Sequence, residues 1–117
     1  MPAAGLVMAA TGAMMAAAQL GAAYPGARLD GAVDWQVCVV SYKLETPDPI
    51  EQVAAFYKAQ AAMASVRLLD DSGARFAGYR TLTFSSRPKF LFVLLARSGA
   101  TTRIAVRYHQ AEPRGCH

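Results

Sequence analysis

A chain of 117 residues, 54% hydrophobic and 17% charged, is long enough to bury one hydrophobic core and too short for two. Its formal charge of +4 and pI near 9.4 come from twelve Lys and Arg scattered from Arg28 to Arg114, so the basic balance marks no nucleic-acid tract. Only Cys38 and Cys116 are present; they permit one bridge but lie in no CxxC or metal-ligand spacing, so they say little about redox compartment.

No charged side chain occurs from Met1 to Ala27, and Leu6 to Ala23 is almost wholly Ala, Gly, Met, Leu and Val. As an export signal this run has a suitable length, and Gly21-Ala22-Ala23 ahead of Tyr24 offers the small residues that signal peptidase requires. No Lys or Arg precedes it, however, and an Ala-rich helix packed in the fold is the alternative. A membrane anchor fits least, because Ala and Gly contribute little transfer energy and Thr11 and Gln19 interrupt the run. The expected organisation is a signal-like or packed helical segment over 1–23, one domain over 24–110 and a loose tail over 111–117. A periplasmic or secreted location follows from the signal, with only transient membrane contact, and a cytoplasmic one from a packed helix.

Tyr24-Pro25-Gly26-Ala27 and Asp30-Gly31 are turn signals. Trp35 to Leu44, rich in β-branched and aromatic residues, predicts the first strand, ended by Thr46-Pro47-Asp48-Pro49. The spacing of Ile50, Val53, Ala54, Tyr57, Ala61 and Ala64 predicts an amphipathic helix within 46–65, with Asp48 as N-cap, Pro49 at the first helical position and Glu51 completing a capping box. Strands follow over Val66 to Leu69, closed by Asp70-Asp71-Ser72-Gly73, over Ala74 to Ser85, broken by Arg87-Pro88, over Lys89 to Arg97, and over Thr101 to His109. The fold class is α+β: one amphipathic helix packed on a four- to five-stranded, mainly antiparallel sheet in the order β-α-β-β-β-β. The Phe90 to Ala96 strand is apolar on both faces and needs cover on both, yet one helix covers one. The second cover is the N-terminal segment, a second copy in a homodimer, or an unknown protein or envelope partner.

Tyr24-Pro25-Gly26-Ala27, followed by Thr46-x-Asp48 and Val53-x-x-Phe56-Tyr57, resembles a small domain recurring in exported bacterial proteins and lipoproteins of unknown function. There a YPGA-like turn leads into a strand, a capped helix with Phe-Tyr and a β-meander. The resemblance covers about residues 24–109 and implies export and no known catalysis. Where that family often has Gly-Trp after the helix, this chain has Met63-Ala64-Ser65-Val66.

No enzyme is expected. The histidines are His109 and the terminal His117, so no base is placed beside a nucleophile. Cys38 reads as a buried strand cysteine, with a Cys38–Cys116 disulfide as the alternative in an exported chain. Asp70 and Asp71 read as turn residues rather than paired carboxylates, no phosphate loop occurs, and neither metal nor cofactor is indicated. Phe56, Tyr57 and Trp35 are candidates for the wall of an apolar-ligand pocket between helix and sheet. Tyr79, Arg97, Arg103 and Arg107 are candidates for a binding sheet face. The favoured function is a non-catalytic exported module that binds a protein or envelope component; the alternatives are a small apolar-ligand carrier and, disfavoured, a cytoplasmic nucleic-acid-binding domain.

Overall fold

In the computed structural model, which describes residues 19–73 and 75–109, one helix packs on a seven-stranded sheet whose neighbours all run antiparallel. The elements are β1 (Arg28–Leu29), β2 (Asp34–Gln36), β3 (Val39–Thr46), α1 (Ile50–Met63), β4 (Leu68–Asp71), β5 (Tyr79–Ser86), β6 (Lys89–Ser98) and β7 (Thr101–His109). β4 to β7 form a meander, and β3 returns beside β7, giving the order β1-β3-β7-β6-β5-β4 with β2 also on the outer edge of β3. The α+β class is the expected one; β1 is a short edge piece added to the five strands anticipated, and β2 is split from the first of them. Most of residues 1–23, and the tail with Cys116 and His117, lie outside the described residues.

The expected strand from Trp35 to Leu44 is two strands. Gln36 pairs with Val39, so Val37 and Cys38 form a two-residue turn, with Cys38 at φ +71°. A non-glycine residue in the left-handed region costs about 1 kcal/mol. Cys38 is therefore a half-buried turn residue, not a core strand cysteine, and it is disulfide-bonded.

The helix starts one residue later than its capping signals imply. Pro49 is the N-cap and no side chain caps it. Asp48 is engaged elsewhere: its carboxylate accepts from the Tyr24 hydroxyl at 2.5 Å and from Gln52 Nε2 at 3.2 Å. At the other end, Ser65 N–H donates to the Ala62 carbonyl and Val66 N–H to that of Ala61, a Schellman motif with Ser65 at φ +60° in the place glycine favours.

Val53, Ala54, Tyr57 and Ala61 of α1 are buried over Leu82 and Phe84 of β5 and Leu91, Val93 and Leu95 of β6. The rest of this face, formed by β7 and β3, is closed by residues 20–24. Tyr24 is buried, with its ring edge-on to Phe56. Gly21, at φ +85°, lies so close to the Tyr108 ring that a Cβ there would come within 2.5 Å of it. Fully buried Gln60 ties the segment to the helix: its Oε1 accepts from Gly21 N–H at 2.8 Å and its Nε2 donates to the Ala22 carbonyl at 2.9 Å. The Tyr42 hydroxyl donates to the Gly21 carbonyl at 2.6 Å. The boundary expected after Ala23 thus falls inside a packed stretch.

Candidate functional site

Side chains alternate across a strand, so the face of β6 opposite the helix carries Phe90, Phe92, Leu94 and Ala96. Each is only partly exposed, screened by its neighbours in the sheet. The register sets Arg107 and Thr83 on either side of Phe92, Ala105 and Thr81 beside Leu94, and Arg103 and Tyr79 beside Ala96. One strand further out, Ser41 stands next to Arg107, Lys43 next to Ala105 and Glu45 next to Arg103. Among the described residues, no element packs over this face. Two shallow grooves follow the apolar ridge. One, of about 700 Å³, includes Phe90, Phe92, Arg107 and His109, and the other, of about 510 Å³, includes Phe92, Leu94, Lys43 and Asp34. The His109 ring donates from Nδ1 to the Pro88 carbonyl at 2.6 Å, since a carbonyl can only accept.

The charge on this face is mixed. Glu45 pairs with Arg28 at 2.7 Å and lies 4.0 Å from Arg103, and Asp34 and Asp70 occupy the two flanks. Of the four residues proposed for the face, Tyr79, Arg103 and Arg107 do share it. Arg97 does not: it pairs with Thr102 on the helix side, where its Nη1 donates to Thr102 Oγ1 at 2.7 Å and to the Pro47 and Asp48 carbonyls. It anchors the loop that enters α1. The residues that sequence reasoning left out of the site are Phe90, Phe92 and Leu94, although their strand was recognised as apolar on both faces.

Of the three residues proposed for a helix–sheet pocket, Phe56 and Tyr57 pack against each other and Trp35 stands apart. Tyr57 is fully buried, Phe56 stacks edge-on between Tyr24 and Tyr57, and Trp35, 67% exposed, stands on the far β2 edge. Trp35 instead lines a separate groove of about 380 Å³ with Leu29, Val33 and Tyr108. The Tyr57 hydroxyl is buried without a well-formed hydrogen bond, and burial pushes its pKa up to about 12. Burial, with the Asp48 carboxylate beside it, likewise pushes Tyr24 up to about 12.

Asp71, read as a turn residue, ends β4 and does brace the turn, accepting from Gly73 N–H at 2.7 Å. It also receives both Nε and Nη2 of Arg80, at 2.9 and 2.7 Å, and lies 2.6 Å from Lys58 Nζ of α1. The Arg80 guanidinium first, then Lys58 and Gly73, holds its carboxyl well below the usual carboxylate range. This cluster joins helix to sheet, and its Arg80 also borders a small groove of about 230 Å³ with Glu51, Phe76 and Tyr79. Among the described residues no three His, Cys, Asp or Glu side chains are grouped to hold a metal, and no helix is long and apolar enough to cross a membrane.

No protein-family model matches the chain, and neither a curated protein nor a solved structure is significantly similar to it. The likeness to small exported bacterial domains rests on the Tyr24 to Tyr57 residues alone.

Proposed function

We propose that this chain is an exported, non-catalytic module that binds another protein through the open face of its sheet. The observation that carries the reading is the Phe90-Phe92-Leu94 ridge, an apolar stripe at the centre of a sheet that, among the described residues, a helix covers on one side only. Aromatic residues surrounded by arginine are the composition of protein interfaces, where such residues supply most of the binding energy. The mixed charge of the rim favours a protein over nucleic acid or an anionic membrane, both of which call for a single-sign field. The matching partner surface is apolar at its centre, with carboxylates placed to meet Arg103 and Arg107. Export is supported by the apolar N-terminal run and by the disulfide at Cys38, a bond that persists in oxidising compartments.

Hydroxyl-radical footprinting tests the reading. In intact cells of a Gram-negative host, Phe90 and Phe92 should be protected relative to the purified protein, while exposed Met63 on α1 oxidises equally in both. Equal oxidation of the phenylalanines in both settings contradicts it.

A further inference from the structure

We propose that export removes residues 1–18, by a cut between Ala18 and Gln19, so that the mature chain keeps Leu20 to Ala23 as part of its core. The inference rests on the export reading and fixes where processing occurs. Signal peptidase reads small residues immediately before the cut and two positions earlier. Two places near the end of the apolar run satisfy it: Ala16 and Ala18, or Gly21 and Ala23. Cutting after Ala13 leaves an apolar run of only about five residues, short of the usual 7–15.

The structure separates the two. A cut after Ala23 removes Gly21 and Ala22, whose backbone N–H and carbonyl are the partners of both ends of the fully buried Gln60 amide. It also removes the acceptor of the buried Tyr42 hydroxyl and uncovers the Tyr108 ring. The new charged amino terminus would sit on Tyr24, which is only 6% exposed, where a charge is costly. Gly21 has a structural reason to be glycine in its left-handed backbone and its approach to Tyr108. Its small size therefore need not record recognition by a protease. A cut after Ala18 spares every one of these contacts. It leaves exposed Gln19 as the terminus, with its carbonyl still accepting from Ala22 N–H at 3.1 Å. Cleavage precedes folding, so the two places compete as sequence, and only the first yields a chain with an intact core. The step is hydrolysis by the host's signal peptidase. The Ala18–Gln19 amide bond breaks, water gives its hydroxyl to the Ala18 carbonyl carbon, and its proton goes to the Gln19 nitrogen.

The test is the intact mass of the full chain expressed in a Gram-negative host and recovered from periplasm and cytoplasm. A periplasmic species starting at Gln19, with or without the ammonia lost when a terminal glutamine cyclises, is the expected result. A species starting at Tyr24 overturns this inference and leaves export standing; an unprocessed cytoplasmic chain overturns both. Two variants sharpen the outcome. Ala18→Leu should abolish the Gln19 species, whereas Ala23→Leu, at an exposed position, should leave the cut unchanged. The reverse pattern overturns the assignment.

Discussion

Gln60→Met isolates the contribution of the clamp between α1 and residues 21–22. Methionine has nearly the volume and length of glutamine but neither donates to the Ala22 carbonyl nor accepts from the Gly21 N–H, which lie 2.9 and 2.8 Å from the amide. Both backbone groups would then be left without partners beside a fully buried side chain. Each such loss costs about 1–3 kcal/mol, and the extra apolar burial of methionine recovers about 1 kcal/mol, so the net loss should be about 1–5 kcal/mol. For a domain near 100 residues each kcal/mol lost lowers Tm by roughly 4–8 °C. Urea unfolding should be followed by far-ultraviolet circular dichroism, because the single tryptophan, Trp35, is largely exposed already and reports poorly on the core. In a chain lacking residues 1–22 the same substitution should be neutral or stabilising, since the amide has already lost its partners. A change within about 0.5 kcal/mol in the longer chain, or equal losses in both, would refute the clamp.

Ser65→Gly relieves a left-handed residue at the helix C-terminus and should stabilise the fold by about 1 kcal/mol in urea unfolding. Tyr57→Phe removes a buried hydroxyl that lacks a well-formed hydrogen bond and should stabilise by about 1 kcal/mol at neutral pH. Its advantage should widen above pH ~10, where the unfolded tyrosine ionises and the folded one, raised to about 12, does not. Asp71→Asn should cost about 2 kcal/mol at pH 7 by disrupting its pairing with Arg80 and Lys58. The folded carboxyl is depressed below its unfolded value, so its contribution is present above pH ~4 and fades as pH falls further. The gap between wild type and variant should therefore narrow in unfolding curves near pH ~2.5, and an unchanged gap would mean the charge is not responsible.

Elements with strong local signals were legible in the sequence. The apolar period placed α1, and Arg87-Pro88 and Ser98-Gly99-Ala100 marked the turns that bound β6. The Val37-Cys38 turn was hidden because neither residue is a turn former and both flanks are β-rich. The missed placement of Arg97 could have been found. A two-residue turn at Gly99-Ala100 pairs Ser98 with Thr101, which turns odd-numbered residues of β6 to the same side as even-numbered residues of β7. Arg97 therefore belongs with Thr102, and Phe92 with Arg107. The clamp was not legible, because it joins positions about 40 apart through a polar residue on an otherwise apolar helix face. Asp48 likewise left its capping role for Tyr24, a tertiary contact outweighing a local preference.

Whether another protein covers the open face can be read with a photo-crosslinking amino acid at Phe92, with exposed Ala55 on α1 as the control position, in living cells of the native host. Position 92 should give one discrete protein adduct, lost on Arg107→Glu, and position 55 should give none. No adduct, or adducts to lipid or nucleic acid alone, would contradict it.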